Sequence, residues 1–316
     1  MVVSAERLHQ VEQAIATLKS FQNGDFGVAR VVDCGDQAIP ALRGVLFQRE
    51  PSGLYQARCR AVDALAALGA HDVLIEFLET KRKIADPIER LGEDAVVNAA
   101  ALALADRRDK HLFELILRLA NRACLAGVIG ALGAYGRAEA IPALINALEE
   151  DTSRLTAEGA LRKLGGLARA ALLETVDQRL PLTGRESESS VRRRRSALRI
   201  LADMEMTRGE WSSLRPLIHD SDARVTVLAC KICLDKAPVG EQRDATCRLI
   251  GLLAHEDWML RDEVEITLTA HFSNARDAID RFLNEARPSE GAGPRQRIES
   301  VLRRVIARAG VVSNCA

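Results

Sequence analysis

The sequence predicts an all-α protein, a right-handed α-solenoid of about eight antiparallel helix pairs closed by terminal capping helices. Three observations carry this. Apolar runs end in Leu-Gly at Leu132-Gly133 and again at Leu164-Gly165, each followed by a few small or polar residues and a second run of helical spacing. The segment Ala38-Ile39-Pro40-Ala41-Leu42 recurs word for word as Ala140-Ile141-Pro142-Ala143-Leu144. Only 3% of the residues are aromatic, and alanine, leucine and arginine, which favour closely packed helices over sheets, dominate the composition. A fixed period of about 20–50 residues marks a solenoid, because a single helix pair buries its apolar face only against its neighbours.

The elements follow in order. In residues 5–20, Leu8, Val11, Ile15 and Leu18 are spaced by three, four and three, forming one apolar stripe of an N-terminal lid helix. Asn23-Gly24 breaks it. The first pair runs through Val28–Val32, turns at Cys34-Gly35-Asp36 and continues over Ala38–Phe47. Pro40 falls in the first turn of that second helix, where its missing N–H costs nothing. Leu54–Leu68 and Asp72–Leu78 form the second pair, broken at Gly69. In the longer connection that follows, Asp86-Pro87 predicts a helix start and Gly92 a stop. Asp94–Ala105 and Lys110–Ala120 make the third pair, and the stretch Arg122–Val176 supplies the fourth and fifth.

No apolar face can be drawn through Asp177–Ser190, which is therefore the expected hinge between sub-arrays at 1–176 and 191–287. In the second sub-array Val191–Met204 pairs with Trp211–His219, Ala223–Leu234 with Ala245–Ala254, and Leu260–His271 with Ala275–Ala286. Residues 288–316 hold a loop, a capping helix and a tail. Gln296–Arg308 gathers Ile298, Val301, Leu302, Val305 and Ile306 on one face, the arrangement that a solenoid end needs.

At 316 residues with 47% hydrophobic content, the chain can bury a large core. Lys+Arg and Asp+Glu both number 44, a neutral balance that argues against an overall nucleic-acid or anionic-membrane surface. Seven cysteines, an odd number spread without a framework, fit a reducing compartment. The first twenty residues lack the pattern of a secretory signal, and no run approaches the roughly 18 apolar residues of a membrane span. A soluble, cytoplasmic protein is expected.

The repeats resemble HEAT repeats of the armadillo-like superfamily, in particular the short phycobilisome-lyase type. The residues carrying the resemblance are the A-x-x-A-L-x-x-L-G-like runs Ala61–Gly69 and Ala157–Gly165 and the two A-I-P-A-L helices. Asp151-Thr-Ser-Arg154 and Asp222-Ala-Arg224-Val225 match the family's opening of a first helix. Physically, such an Asp caps the helix start and the Arg can pair with an acidic residue of the adjoining repeat. The resemblance spans about residues 24–286 and specifies fold rather than function.

Few residues promise chemistry. Cys230-Lys-Ile-Cys233 is the single C-x-x-C, but its spacing of three within a helical run reads as core, and no second pair completes a zinc site. His255-Glu256 is similar to the iron-binding His-Glu pairs of the deoxyhypusine hydroxylase branch, which needs several such pairs. Trp211, Trp258 and Asp257 are the residue types with which some HEAT-like proteins excise alkylated bases, and Trp258 also reads as a helix-start anchor. Four consecutive arginines, Arg192–Arg195, span about 300° of a helix, so at least one turns toward neighbours; Glu186 and Glu188 are at hand to neutralise them.

The function expected is therefore that of a non-enzymatic interaction scaffold with no cofactor and no metal, binding a protein or peptide along the concave face. In the family the second helix of each pair lines that face. Registering these helices on Leu42, Leu74, Leu115, Leu144, Leu172 and Leu214 places Arg43, Glu76, Arg118, Asn146, Glu174 and Arg215 near the strip, continued by Arg248 and Arg281. Charges of both signs along it suit a protein partner better than a phosphate backbone, which wants one sign throughout. The competing reading is a nucleic-acid binder, such as an alkylated-base DNA glycosylase, supported by the arginine bias and the Arg192–Arg195 run; base excision or lyase activity is the enzymatic alternative.

Overall fold

Every element of the computed structural model is helical; the structure describes residues 2–49, 54–81, 83–181, 186–285 and 293–313, and no strand forms among them. Packing divides the chain into two compact units, Met1–Leu164 and Gly165–Ala316.

In the first unit, α1 (Val2–Lys19) lies against α2 (Gly24–Asp33), α3 (Ile39–Phe47) and α4 (Gln56–Ala67). Two rows then build up. First helices α2, α4, α6 (Pro87–Ala103), α8 (Ala126–Ala134) and α10 (Arg154–Leu164) pack in succession. Second helices α3, α5 (His71–Glu79), α7 (Lys110–Arg122) and α9 (Ile141–Asn146) form the other row. The apolar stripes meet between the rows, where Leu18, Leu42, Leu65, Leu74, Phe77 and Leu112 are completely buried. Phe47 and Phe77 meet edge-on at 5.7 Å, joining α3 to α5.

Local chemistry sets the boundaries. Pro40 and Pro142 sit in the first turns of α3 and α9. Asp86 Oδ1 accepts the N–H groups of Ile88 and Glu89 at 2.8 and 2.9 Å, so α6 begins where expected. It does not stop at Gly92, which lies buried inside the continuous helix. The cost of one interior glycine, about 1 kcal/mol, is small beside the packing of a seventeen-residue helix. Gly69 (φ 72°) closes α4: the Ala70 N–H reaches Leu65 O and the Gly69 N–H reaches Ala66 O, satisfying the last carbonyls. Gly165 (φ 54°) makes the same kind of turn. Gly133 does not. It lies within α8, and a Cβ there would stand 2.4 Å from Ala160 Cβ, so this Leu-Gly marks a helix crossing, with Gly136 (φ 64°) as the turn.

In the second unit, α12 (Glu188–Ala202), α14 (Ala223–Lys236), α16 (Trp258–Ala270) and α18 (Pro294–Ser313) form one row. The other is α11 (Arg169–Asp177), α13 (Arg208–Leu214) with its 3-10 extension to His219, α15 (Gln242–Leu252) and α17 (Phe272–Asn284). Thr207 and Glu210 close a reciprocal capping box on α13. The helix α18 packs on α16 and α17 through Ile298, Val301, Leu302 and Val305, the stripe read from its spacing.

Residues 182–185, the centre of the expected 177–190 hinge, and 286–292 of the second expected loop lie outside the described residues. The hinge flanks are tied together. Ser190 Oγ accepts the Leu180 N–H at 2.9 Å, and Ser187 Oγ donates to Leu180 O at 2.8 Å. Among the described residues no helix is long and apolar enough to cross a membrane.

Candidate functional site

The six leucines that register the second helices, Leu42, Leu74, Leu115, Leu144, Leu172 and Leu214, are all buried. The side chains selected from that register fall on the open side of their helices. Arg43, Glu76, Arg118 and Asn146 of the first unit are exposed, as are Glu174, Arg215, Arg248 and Arg281 of the second.

The structure brings two of them directly together. The Arg43 guanidinium grips Glu76 in a bidentate pair, Nε to Oε2 at 3.1 Å and Nη2 to Oε1, and lies 4.8 Å from the Phe47 ring. The hydrogen bond from Arg43 holds the Glu76 carboxyl below the usual carboxylate range. One step along the same row, His111 Nε2 and Glu79 Oε1 meet at 2.8 Å, a pair the leucine register passed over. In the second unit Glu174 accepts a hydrogen bond from Gln178 at 2.7 Å, and His219 Nε2 stands 3.1 Å from Asp244 Oδ2. Arg169 reaches both Glu210 oxygens at 3.1 and 3.2 Å. Arg118, Arg215, Arg248 and Arg281 form no ion pair among the described residues, which leaves four cations open to solvent beside the cross-linked pairs.

The arginine run divides inward. Arg194 is completely buried, its Nε donating to Val176 O at 2.8 Å and its Nη1 to Glu186 Oε2 at 2.8 Å. Its Nη2 bonds Asp220. Arg193 is buried as well and reaches Gln178 O at 3.3 Å. Glu186 therefore does neutralise the run, but the second carboxylate is Asp220 from the following repeat, not Glu188, which stays exposed on the first turn. No sequence signal pointed to Asp220, because the pairing depends on how one repeat stacks on the next.

The remaining candidates are structural. Cys230 and Cys233 are fully buried in α14; burial pushes the Cys233 thiol up to about 12 and the Cys230 thiol further in the same direction. Among the described residues no group of three His, Cys, Asp or Glu side chains is placed to hold a metal. His255 and Glu256 belong to the turn before α16, where the Asp257 N–H donates to His255 Nδ1 at 3.0 Å and Arg261 reaches the carbonyls of both residues. Asp257 caps α16 and accepts Arg224 at 2.8 Å. Trp211 is buried and donates its Nε1–H to Glu241 at 2.7 Å, so it offers no face to a base. Trp258 is 67% exposed, so the start of α16 is anchored by Asp257 rather than by the indole.

Two rows of paired helices cross-linked at repeat spacing define an all-helical repeat protein. No family model matches this chain, and no curated protein matches it. Among solved structures it is similar to the complex of CpcE and CpcF of phycocyanin lyase from Nostoc sp., at 20% identity and a TM-score of 0.35, with 80% of this chain and 94% of that chain covered. That structure is of the kind which the Leu-Gly and A-I-P-A-L segments resemble. It also corrects one expectation. The neighbour is described as a lyase, an enzyme, and the expectation of a non-enzymatic protein is withdrawn on that finding.

Proposed function

We propose that this chain binds a protein or peptide along the second-helix row of each unit, through Arg43, Glu76, Arg118 and Asn146 in the first and Glu174, Arg215, Arg248 and Arg281 in the second. Within each unit the pairs are read as winding right-handed, with this row on the inner side. The observation that carries the reading is the Arg43–Glu76 pair. Positions chosen only by register stand within hydrogen-bond distance across successive second helices, on an open face where charges of both signs recur. Mixed charge on a regular helical surface selects partners by complementarity. The test is co-purification of a partner with the full chain, followed by affinity measurements on Arg118→Glu, Glu174→Lys and Arg215→Glu. A loss of about tenfold or more per reversal is expected for contacts that pair with charge. Unchanged affinity in all three moves the contact off the second-helix row. Tight binding of DNA or RNA with a steep salt dependence replaces the reading altogether.

A further inference from the structure

Beside the second-helix row of the first unit lies an open cleft of about 640 Å³, within the range of sites that enclose small ligands or peptide side chains. The C-terminal ends of α5 and α7, the connection between α5 and α6, and the first half of α6 surround it. Its apolar walls include Leu78, Ile84, Val97 and Leu119.

Its charges are unequally engaged. Glu93, on the floor, is committed: Arg58 Nη1 donates to Glu93 Oε2 at 2.7 Å while Arg58 Nε donates to Leu46 O, with both side chains buried. Arg90 fixes the rim by donating to Ile84 O at 2.8 Å. Lys83 and Arg122 form no ion pair among the described residues. The one other carboxyl, Asp94, is shifted upward by burial and by the Glu93 charge, an effect that the Arg90 charge partly offsets.

The cleft is lined by the same helices that carry the row. On α5, Leu78 follows Glu76 by two residues; on α7, Leu119 follows Arg118 and Arg122 lies one turn beyond it.

We propose that this cleft is the anchoring pocket for an acidic peptide segment of the protein partner, taking an apolar side chain between Leu78, Ile84, Val97 and Leu119 and facing a neighbouring carboxylate with Lys83 and Arg122. The proposal rests on the partner-binding reading above and specifies the partner's chemistry at that surface. Charge complementarity chooses this occupant. A basic segment would meet two cations that form no ion pair, and a wholly apolar one would strip water from them without replacing their hydrogen bonds.

Selection of a random dodecapeptide library on the full chain tests it. Enriched peptides should pair an apolar residue with an adjacent aspartate or glutamate. A fluorescein-labelled member should bind about tenfold or more weakly to Lys83→Glu/Arg122→Glu and should weaken as salt rises. Val97→Trp, which fills the floor, should abolish binding; the paired surface reversals provide the same test where that variant fails to fold. Replacing the peptide's acidic residue by its amide should cost a similar factor on the native chain and nothing on the double reversal. Enrichment of basic or purely apolar peptides, or affinity unchanged in the cleft variants, overturns the proposal. So does failure to enrich any peptide. Peptides that respond to Arg118→Glu but not to the cleft variants overturn the cleft while leaving the second-helix row standing.

Discussion

Arg194 and Asp220 form an ion pair in which both side chains are completely out of solvent, 26 residues apart in sequence and joining α12 to the turn that opens α14. Asp220 also accepts Arg179 at 2.8 Å and the Asp222 N–H at 2.9 Å, so its lone pairs are well used. Removing one partner of a buried pair strands the other charge, typically at about 3–5 kcal/mol. Asp220→Ala leaves Glu186 as the remaining carboxylate on Arg194, so it should lower the unfolding free energy by about the lower end of that range. Urea unfolding of the variant checks it, and a change under about 1 kcal/mol would sink the account.

The same carboxylate sets an acid limit. Burial pushes its pKa up, but the hydrogen bonds from Arg194 and Asp222 and the charges of Arg194 and Arg179 outweigh that, and the net shift is downward. A group depressed in the folded state contributes stability above its unfolded value, near pH 4, and loses it as pH falls through the folded value. Stability should thus decline below about pH 4, and Asp220→Asn should flatten that decline. Parallel acid slopes for the two proteins would refute the assignment.

Arg58 and Glu93 make the corresponding pair in the first unit, spanning α4 and α6. Arg58→Ala should cost about 3–5 kcal/mol, whereas Arg58→Met with Glu93→Leu should recover most of it, because a matched apolar pair leaves no stranded charge. Thermal unfolding of the two single variants and the double variant gives the coupling directly.

Two glycines separate packing from backbone. Gly133→Val forces atoms into Ala160 across the α8–α10 crossing and should cost about 1–3 kcal/mol or more. Nothing lies within 4 Å of a Cβ at Gly136, so Gly136→Ala pays only for its positive φ, about 1 kcal/mol. Equal losses would contradict the two roles.

Thiol labelling should follow burial. Cys247 is exposed, while Cys230 and Cys233 are buried with thiols held far from ionisation. Iodoacetamide at pH 8 should modify Cys247 in the folded chain and leave the other two untouched until unfolding, as mass spectrometry of the digest would read. Early labelling of Cys233 would place α14 differently.

Much of this architecture was legible in residue order. Helix starts at Asp86-Pro87 and Asp222, the Gly69 and Gly165 turns and the α18 stripe all depend on local chemistry, which a sequence displays. Arg224 even reaches the acidic residue of the adjoining repeat, Asp257, as the opening motif implies. What local reading misassigned was tertiary. Gly92 looks like a stop and Gly133 like a turn, because glycine alone does not say whether it bends the chain or admits a neighbouring helix. The buried partners Asp220 and Glu93, and the cleft behind Glu76, exist only once repeats stack.

The cross-links recur at nearly one repeat: Asp25 with Arg60, Arg43 with Glu76, Arg58 with Glu93, Arg224 with Asp257. A cassette cut at the helix turns would carry one half of each such couple and leave the other behind. Excising the α4–α5 cassette, for example, orphans Asp25, Arg43 and Glu93 in a single event, although no helix is severed. Lengthening or shortening such a chain by recombination therefore costs most where the incoming cassette fails to replace a buried couple such as Arg58–Glu93, and little where the lost couple is exposed. The seams are held by the charges that water does not reach.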